Sequence, residues 1–280
     1  MRIYVLGSGS SGNCAVVEAE GARLVIDAGM GPVRATERMR ALGADLIGPR
    51  PPLGVFVTHD HGDHCSHARP LARCLRAPIF AHDRAVLQHA RRKLDVRSYI
   101  PGHPVALGPF LVEALPVPHD APQVAIRVSA GGYRFAIATD LGHAPLGFAA
   151  WLGACDLVLL EANYCPGLLD AGPYPLHLKR RVAGPLGHLG NEQAARVAAA
   201  LEDTRVSRLV LCHLSRTNNS PERALAVVAS ALPRLHTEAL PHGEARRFDV
   251  DVAPAGAPPR RPEQLALGFA GALAPAWPSG

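Results

Sequence analysis

Apolar and polar positions alternate in short runs over the first thirty residues. Strand-like stretches at 3–6, 15–18 and 24–27 are broken by the turn-forming string Gly7-Ser8-Gly9-Ser10-Ser11-Gly12-Asn13, a pattern that predicts an antiparallel meander. The period then changes. Over 33–42 apolar and small residues recur at helical spacing with arginines on the other side, which predicts a helix. A short buried-type strand at 53–57 follows, then a helix over 70–75, a strand at 78–81 and a helix over 84–93. Residues 105–118, 124–129 and 133–139 read as a second meander, punctuated by Gly108-Pro109 and Gly131-Gly132. A strand at 156–161 leads through Pro173-Tyr174-Pro175 and a basic turn at 177–181 into a helix over 191–202. The last core strand, 208–212, precedes a helix ending near residue 231, with Ser220 as N-cap and Pro221 as its first residue. Two meanders, each followed by helices, predict two sheets packed face to face with helices outside.

A chain of 280 residues, 48% of them hydrophobic, can bury a real core, and the pattern above places one catalytic domain in 1–250. Residues 251–280 are dominated by Ala, Pro and Gly and are expected to form a flexible tail. No uninterrupted apolar run is long enough to span a membrane, and the N-terminus reads as a strand rather than a secretory leader, so a cytoplasmic protein is expected. Six scattered cysteines without a CxxC pair fit free thiols in a reducing compartment. The net charge of +5 rests almost wholly on arginine; Lys93 and Lys179 are the only lysines. That balance permits an anionic polymer as substrate without demanding one.

The chemistry begins where the strand at 53–57 ends. In Thr58-His59-Asp60-His61-Gly62-Asp63-His64, five metal-capable side chains crowd into six residues, an arrangement unfavourable outside a metal site because protonated imidazoles repel. Histidines two apart in an extended segment point the same way and can grip one ion, while Asp63 and His64 on the following turn can face a second.

This HxHxDH string after a strand resembles the signature of the metallo-β-lactamase superfamily, and the likeness runs in order along nearly the whole chain before the tail. The resemblance implies a four-layer αββα sandwich of α/β class. It carries over to His119 in Pro118-His119-Asp120-Ala121, Asp140 in Ala138-Thr139-Asp140-Leu141-Gly142 and His213 in Leu211-Cys212-His213-Leu214-Ser215. It implies that His59, His61 and His119 bind one divalent ion, that Asp63, His64 and His213 bind another, and that Asp140 is shared. Zinc and manganese suit these donors, and iron is also accepted. A closer likeness, to the YycJ/WalJ group of DNA exonucleases, rests on the Gly7–Asn13 string, His119-Asp120-Ala121, Leu160-Glu161-Ala162-Asn163, Gly172-Pro173-Tyr174-Pro175, Gly187-His188-Leu189 and His213-Leu214-Ser215. Tyr164-Cys165-Pro166 departs from the group's pattern at the substrate rim.

The resemblance implies a phosphodiester hydrolase, most closely a 5′-to-3′ DNA exonuclease using a hydroxide that bridges two metal ions, with Asp63 orienting it. His188 is the candidate proton donor to the leaving oxygen, as in the tRNA 3′-processing nucleases of the superfamily. Asp60 is read as hydrogen-bonded to a ligating imidazole; Glu161 and Asn163 either do the same, line the cleft or stabilise a loop. The Gly/Ser loop at 7–13 either cradles a phosphate or simply joins two strands, the latter being the default. Lys179, Arg180, Arg181 and Arg216 are candidate phosphate contacts. The same ligand set also serves RNA-processing nucleases and small-molecule hydrolases of cyclic phosphodiesters, thioesters or lactones. In the tail, Gln264-Leu265-Ala266-Leu267-Gly268-Phe269 resembles the peptide with which bacterial replication and repair proteins bind the DNA sliding clamp, with Gln264 at the groove entrance and Leu265, Leu267 and Phe269 as anchors; the competing reading is a tail folded back onto the domain.

Overall fold

The first meander forms as β1 (Arg2–Gly7), β2 (Cys14–Ala19) and β3 (Ala22–Ile26), and the helical period that follows becomes α1 (Pro32–Ala41). These elements come from a computed structural model that describes residues 1–85, 95–232 and 234–250. The tail motif therefore lies outside the described residues, as does the helix expected over 84–93 from residue 86 onward. After α1 the chain returns as β4 (Val55–Val57), makes the single turn α2 (Gly62–Cys65) and continues through α3 (Ala68–Leu75), β5 (Ile79–His82) and β6 (Val96–Tyr99). The second meander is β7 (Val105–Leu107), β8 (Phe110–Val117), β9 (Gln123–Ala130) and β10 (Tyr133–Ala138). Then follow α4 (Phe148–Gly153), β11 (Leu157–Glu161), α5 (Pro166–Ala171), α6 (Leu176–Val182), α7 (Asn191–Ala199), β12 (Arg208–Cys212), α8 (Pro221–Ala229), β13 (His236–Ala239) and β14 (Arg246–Asp249).

The strands make two seven-stranded sheets, ordered β14-β1-β2-β3-β4-β5-β6 and β13-β12-β11-β10-β9-β8-β7. Each is antiparallel in its meander and turns parallel afterwards, at β3/β4 in the first and at β10/β11 in the second. Ile3, Ile26, Phe56, Phe80 and Tyr99 of one sheet meet Phe110, Ile126, Phe135, Leu159 and Val210 of the other in a central core. Outside it, Met39 and Leu71 cover Tyr4, Val25 and Val57, and Phe148, Leu152, Val197 and Val228 cover Val158, Leu160, Leu209 and Leu211. The parallel strands are thus buried on both faces, which is why they read as unbroken apolar runs. The result is the expected αββα sandwich.

Two expectations need correction. Residues 177–181 are not a turn but the body of α6, because Leu178 and Val182, four residues apart, pack on a small cluster of Tyr164, Leu169 and Tyr174. The helix begun at Asn191 ends at Ala199 rather than 202. Among the described residues, no helix is long and apolar enough to cross a membrane.

Candidate metal centre

The ends of six strands deliver the site. β4 runs straight into Thr58, and the backbone then turns through α2, so that His59, His61, Asp63 and His64 project from one short segment. Asp27 follows β3, His119 follows β8, Asp140 follows β10, Glu161 ends β11 and His213 follows β12. Three of these, Asp27, Asp140 and His213, adopt φ of 62°, 56° and 54°, the left-handed region that costs a non-glycine residue about 1–3 kcal/mol. Backbone strain thus accompanies three of the strand ends that aim a side chain inward.

The seven expected ligands are brought together. Donor atoms of His59, His61 and His119 lie within 4.8 Å of one another, as do those of Asp63, His64 and His213, and Asp140 groups both with His59 and His64 and with His213. His61 Nδ1 stands 3.2 Å from His119 Nε2. In the second group His64 Nε2 is 2.9 Å from Asp140 Oδ2, and His213 Nε2 is 3.6 Å from both Asp63 Oδ2 and Asp140 Oδ1. His59 Nε2 and His213 Nε2 are buried without a hydrogen-bond partner. Buried imidazole lone pairs beside carboxylates fit divalent cations of the zinc or manganese type.

Three of the candidate ligands, His64, His119 and His213, are held from behind. Asp27 Oδ1 accepts from the Thr58 main chain at 2.8 Å and from its hydroxyl at 3.0 Å, while Oδ2 stands 2.7 Å from His64 Nδ1. His119 Nδ1 donates to the Gly187 carbonyl at 3.1 Å. Glu161 is fully buried: Oε2 accepts the N–H groups of Leu141 and Leu189, both at 3.1 Å, and Oε1 lies 2.8 Å from Nδ1 of both His188 and His213. Asn163 donates to the His213 carbonyl at 2.9 Å and binds the Leu189 and Ser215 main chains. These partners fix ring orientation, as supporting carboxylates and carbonyls commonly do around metals.

Charge follows from burial and these neighbours. Burial takes His59 well below the usual histidine range, helped by the nearby His64 charge, and burial likewise lowers His119, leaving both as neutral donors. Burial also opposes charging of His64, but Asp27 and Asp140 outweigh it and push that ring up to about 10; His213 is raised well above its usual range against the same penalty by Asp140, Asp63 and Glu161. For Glu161, burial alone would raise the carboxyl, yet His188 and His213 hold it at about 2. Burial pushes the Cys65 thiol up to about 11, leaving it inert beside the motif.

Some participants were invisible in the sequence. Asp27, the carboxylate behind His64, looked like a strand end; its signal is an acid closing an apolar strand. Asn13, buried at the end of the Gly/Ser loop, accepts from Gly9 N–H at 2.8 Å and turns Nδ2 toward Asp63 Oδ2 at 3.3 Å and His64 Nε2 at 2.8 Å; Ser8 Oγ accepts the His213 N–H at 2.7 Å. The loop is thus a brace for the second ligand group as well as a connection. The charge of Asp60 also acts on His82 and Tyr99.

The clusters open into a cavity of about 430 Å³ that is also lined by Tyr174, Leu178 and Arg181. Of the four predicted phosphate contacts only Arg181 lines it, and its guanidinium is paired with Asp120 at 2.7 Å. Lys179 donates to the Asp170 carbonyl at 2.5 Å, Arg180 is not among the lining residues, and Arg216 reaches Gly243.

Residues 22–214 match the family model described as Beta-lactamase superfamily domain. The chain is 29% identical over 240 residues to exodeoxyribonuclease WalJ of Streptococcus pneumoniae serotype 2, covering 82% of this chain and 88% of that protein. It is 29% identical over 241 residues to exodeoxyribonuclease YycJ of Bacillus anthracis, covering 83% and 89%. Among solved structures, the metallo-β-lactamase fold protein YhfI of Bacillus subtilis superposes with a TM-score of 0.67 at 18% identity, covering 88% of this chain and 99% of that one. The family match, the fold and the gathered His/Asp donors agree, and the chain belongs to the metallo-β-lactamase superfamily as a metal-dependent hydrolase.

Proposed function

We propose that this protein is an exodeoxyribonuclease that removes nucleotides from DNA ends in the 5′-to-3′ direction during repair or replication. The observation that carries the reading is His188, a cavity-lining imidazole whose Nδ1 is fixed on the buried Glu161 beside the second ligand group. The relatives named as exodeoxyribonucleases favour DNA over RNA or a small ester.

Two divalent cations held by His59, His61, His119, Asp140, Asp63, His64 and His213 would supply a water-derived nucleophile at neutral pH and neutralise charge on the attacked phosphate. The chain's own groups do the rest. Asp63 and Asp140 place carboxylate oxygens between the histidines, and Asn13 and His213 set the direction of Asp63. With Nδ1 engaged, His188 presents Nε2 for transfer of a proton to the leaving sugar oxygen. Burial would strip that proton, but the Glu161 and Asp140 charges outweigh it and raise His188, keeping it an acid. Arg181 guides the strand at the cavity mouth, with Lys179 and Arg180 on the same helix and Arg216 further out. The segment from Gln264 to Phe269 tethers the enzyme to a sliding clamp.

The test is purified protein with Mn²⁺ or Zn²⁺ on end-labelled duplex DNA, single-stranded DNA, RNA and a small phosphodiester. Mononucleotides released from the 5′ end of linear duplex are expected. Turnover of the small ester alone would remove the nuclease reading, and turnover of RNA alone would move it to RNA processing.

A further inference from the structure

Asn218 and Asn219 stand side by side after β12 and differ in their surroundings. Asn219 exchanges amide hydrogen bonds with Asn191 at 2.8 and 3.0 Å and donates to the Ala162 carbonyl at 2.7 Å. Asn218 is equally fixed through its main chain: its N–H lies on Ser215 Oγ at 3.1 Å and its carbonyl takes the Cys165 N–H at 2.9 Å. Its side chain is only 1% exposed, yet neither Nδ2 nor Oδ1 has a hydrogen-bond partner in the protein. Gly172 leaves room for the amide, since a β-carbon there would stand 2.9 Å from Oδ1. A buried amide without partners destabilises a fold, so a position that keeps one calls for a reason. Asn218 lines the cavity in front of the His/Asp clusters, together with Tyr174 and Ser215.

We infer that Asn218 recognises the terminal nucleoside of the strand being degraded, an inference that rests on the nuclease reading above. An amide offers a donor and an acceptor side by side. A phosphate, all acceptor at its oxygens, would satisfy Nδ2 and leave Oδ1 opposed; a sugar hydroxyl or a base edge carries both donor and acceptor and satisfies the pair. The cavity volume of about 430 Å³ is in the range that holds a small ligand and far below what a duplex needs. Tyr174, which also lines the cavity, adds an aromatic surface for a base. Asn218 is therefore a specificity residue for the nucleoside, while the charged groups around it take the phosphate.

The experiment measures thermal stability and ligand binding of the ion-loaded protein before and after Asn218→Leu. Replacing an unpartnered amide by an apolar group of similar size is expected to raise Tm by several degrees. It is also expected to weaken dAMP at least tenfold while leaving inorganic phosphate binding unchanged. Deoxyribose 5-phosphate weakened as much as dAMP would identify the sugar hydroxyl as the partner, and dAMP weakened alone would identify the base edge. Equal weakening of inorganic phosphate, or a lower Tm with dAMP binding intact, overturns the inference. Should the leucine variant fail to fold, Asn218→Ala makes the same comparison without added volume. Wild-type protein that degrades DNA while the variants bind dAMP normally sinks this inference and leaves the nuclease reading; wild-type protein that does not degrade DNA sinks that reading itself.

Discussion

His64 and His213 hold protons at neutral pH in the protein without its ions, because carboxylates overcome the cost of burying their charge. A ligating imidazole must give up that proton, so ion uptake has to release it. With His64 at about 10, the proton competes with the ion at every pH below that value, and there affinity should rise about tenfold per pH unit for each proton displaced. Calorimetric titration in buffers of different ionisation enthalpy should therefore show about two protons released per chain on saturation. Uptake without proton release would mean that these two rings are not ligands. His188 makes a separate prediction: His188→Ala should lower turnover about 10²–10⁴-fold while leaving metal content near normal, whereas loss of metal would make it structural. Of the seven candidate positions, His59, His61, Asp63 and His64 were legible because crowded histidines and aspartates have few other uses, whereas His119, Asp140 and His213 stand alone in the sequence and were reached only through the family resemblance. Asp27 and Asn13 were not legible, since a single acid at a strand end and a single amide after glycines and serines have many.

Three loops meet at one glycine. Asn13 N–H donates to the Asp63 carbonyl at 2.7 Å, Gly29 N–H to the Asn13 carbonyl at 2.9 Å, and Ala28 N–H to the His64 carbonyl at 2.7 Å. The Gly/Ser loop, the segment after β3 and α2 are thereby laced main chain to main chain, with no room between them: a β-carbon on Gly29 would fall 1.7 Å from the Asp63 carbonyl oxygen. Gly29→Ala should cost about 3 kcal/mol or more and weaken the second ion with it, as followed by thermal melts and metal content. Gly167→Ala in α5, with open space around the new carbon, should be neutral or mildly stabilising. Unchanged stability in Gly29→Ala would refute the lacing. At this scale the sequence was read well where burial dictates it and poorly where distant pairing does. β11 and β12, buried on both faces, announce themselves as apolar runs. β14, with one apolar residue in Arg246-Arg247-Phe248-Asp249, exists because it pairs with β1 across the length of the domain, Arg2 opposite Asp249, and nothing local reports that.

Each half of the molecule turns its parallel strand ends toward the same rim, so β3 and β4 from one sheet and β10, β11 and β12 from the other converge on a single site. Ligands at strand ends can converge without disturbing either ladder, and all seven candidate ligands are loop residues or lie in the one-turn helix α2. The candidate donors gathered at this rim run from His59 to His213. If Gln264 to Phe269 acts as a tether, its effect must appear only where a clamp is present: a flexible connection raises the local concentration of enzyme at DNA and leaves the chemistry of each encounter unchanged. Deleting the chain from Arg260 onward should therefore leave turnover on free linear DNA largely intact and abolish binding to purified clamp. The full-length chain should lose clamp binding equally when Leu265, Leu267 and Phe269 are changed together to Ala, because apolar anchors in a preformed groove supply most of such a peptide's affinity. A truncated protein that aggregates or melts at lower temperature, with no clamp binding by the full-length chain, would instead make the segment a cover for the domain's own apolar surface.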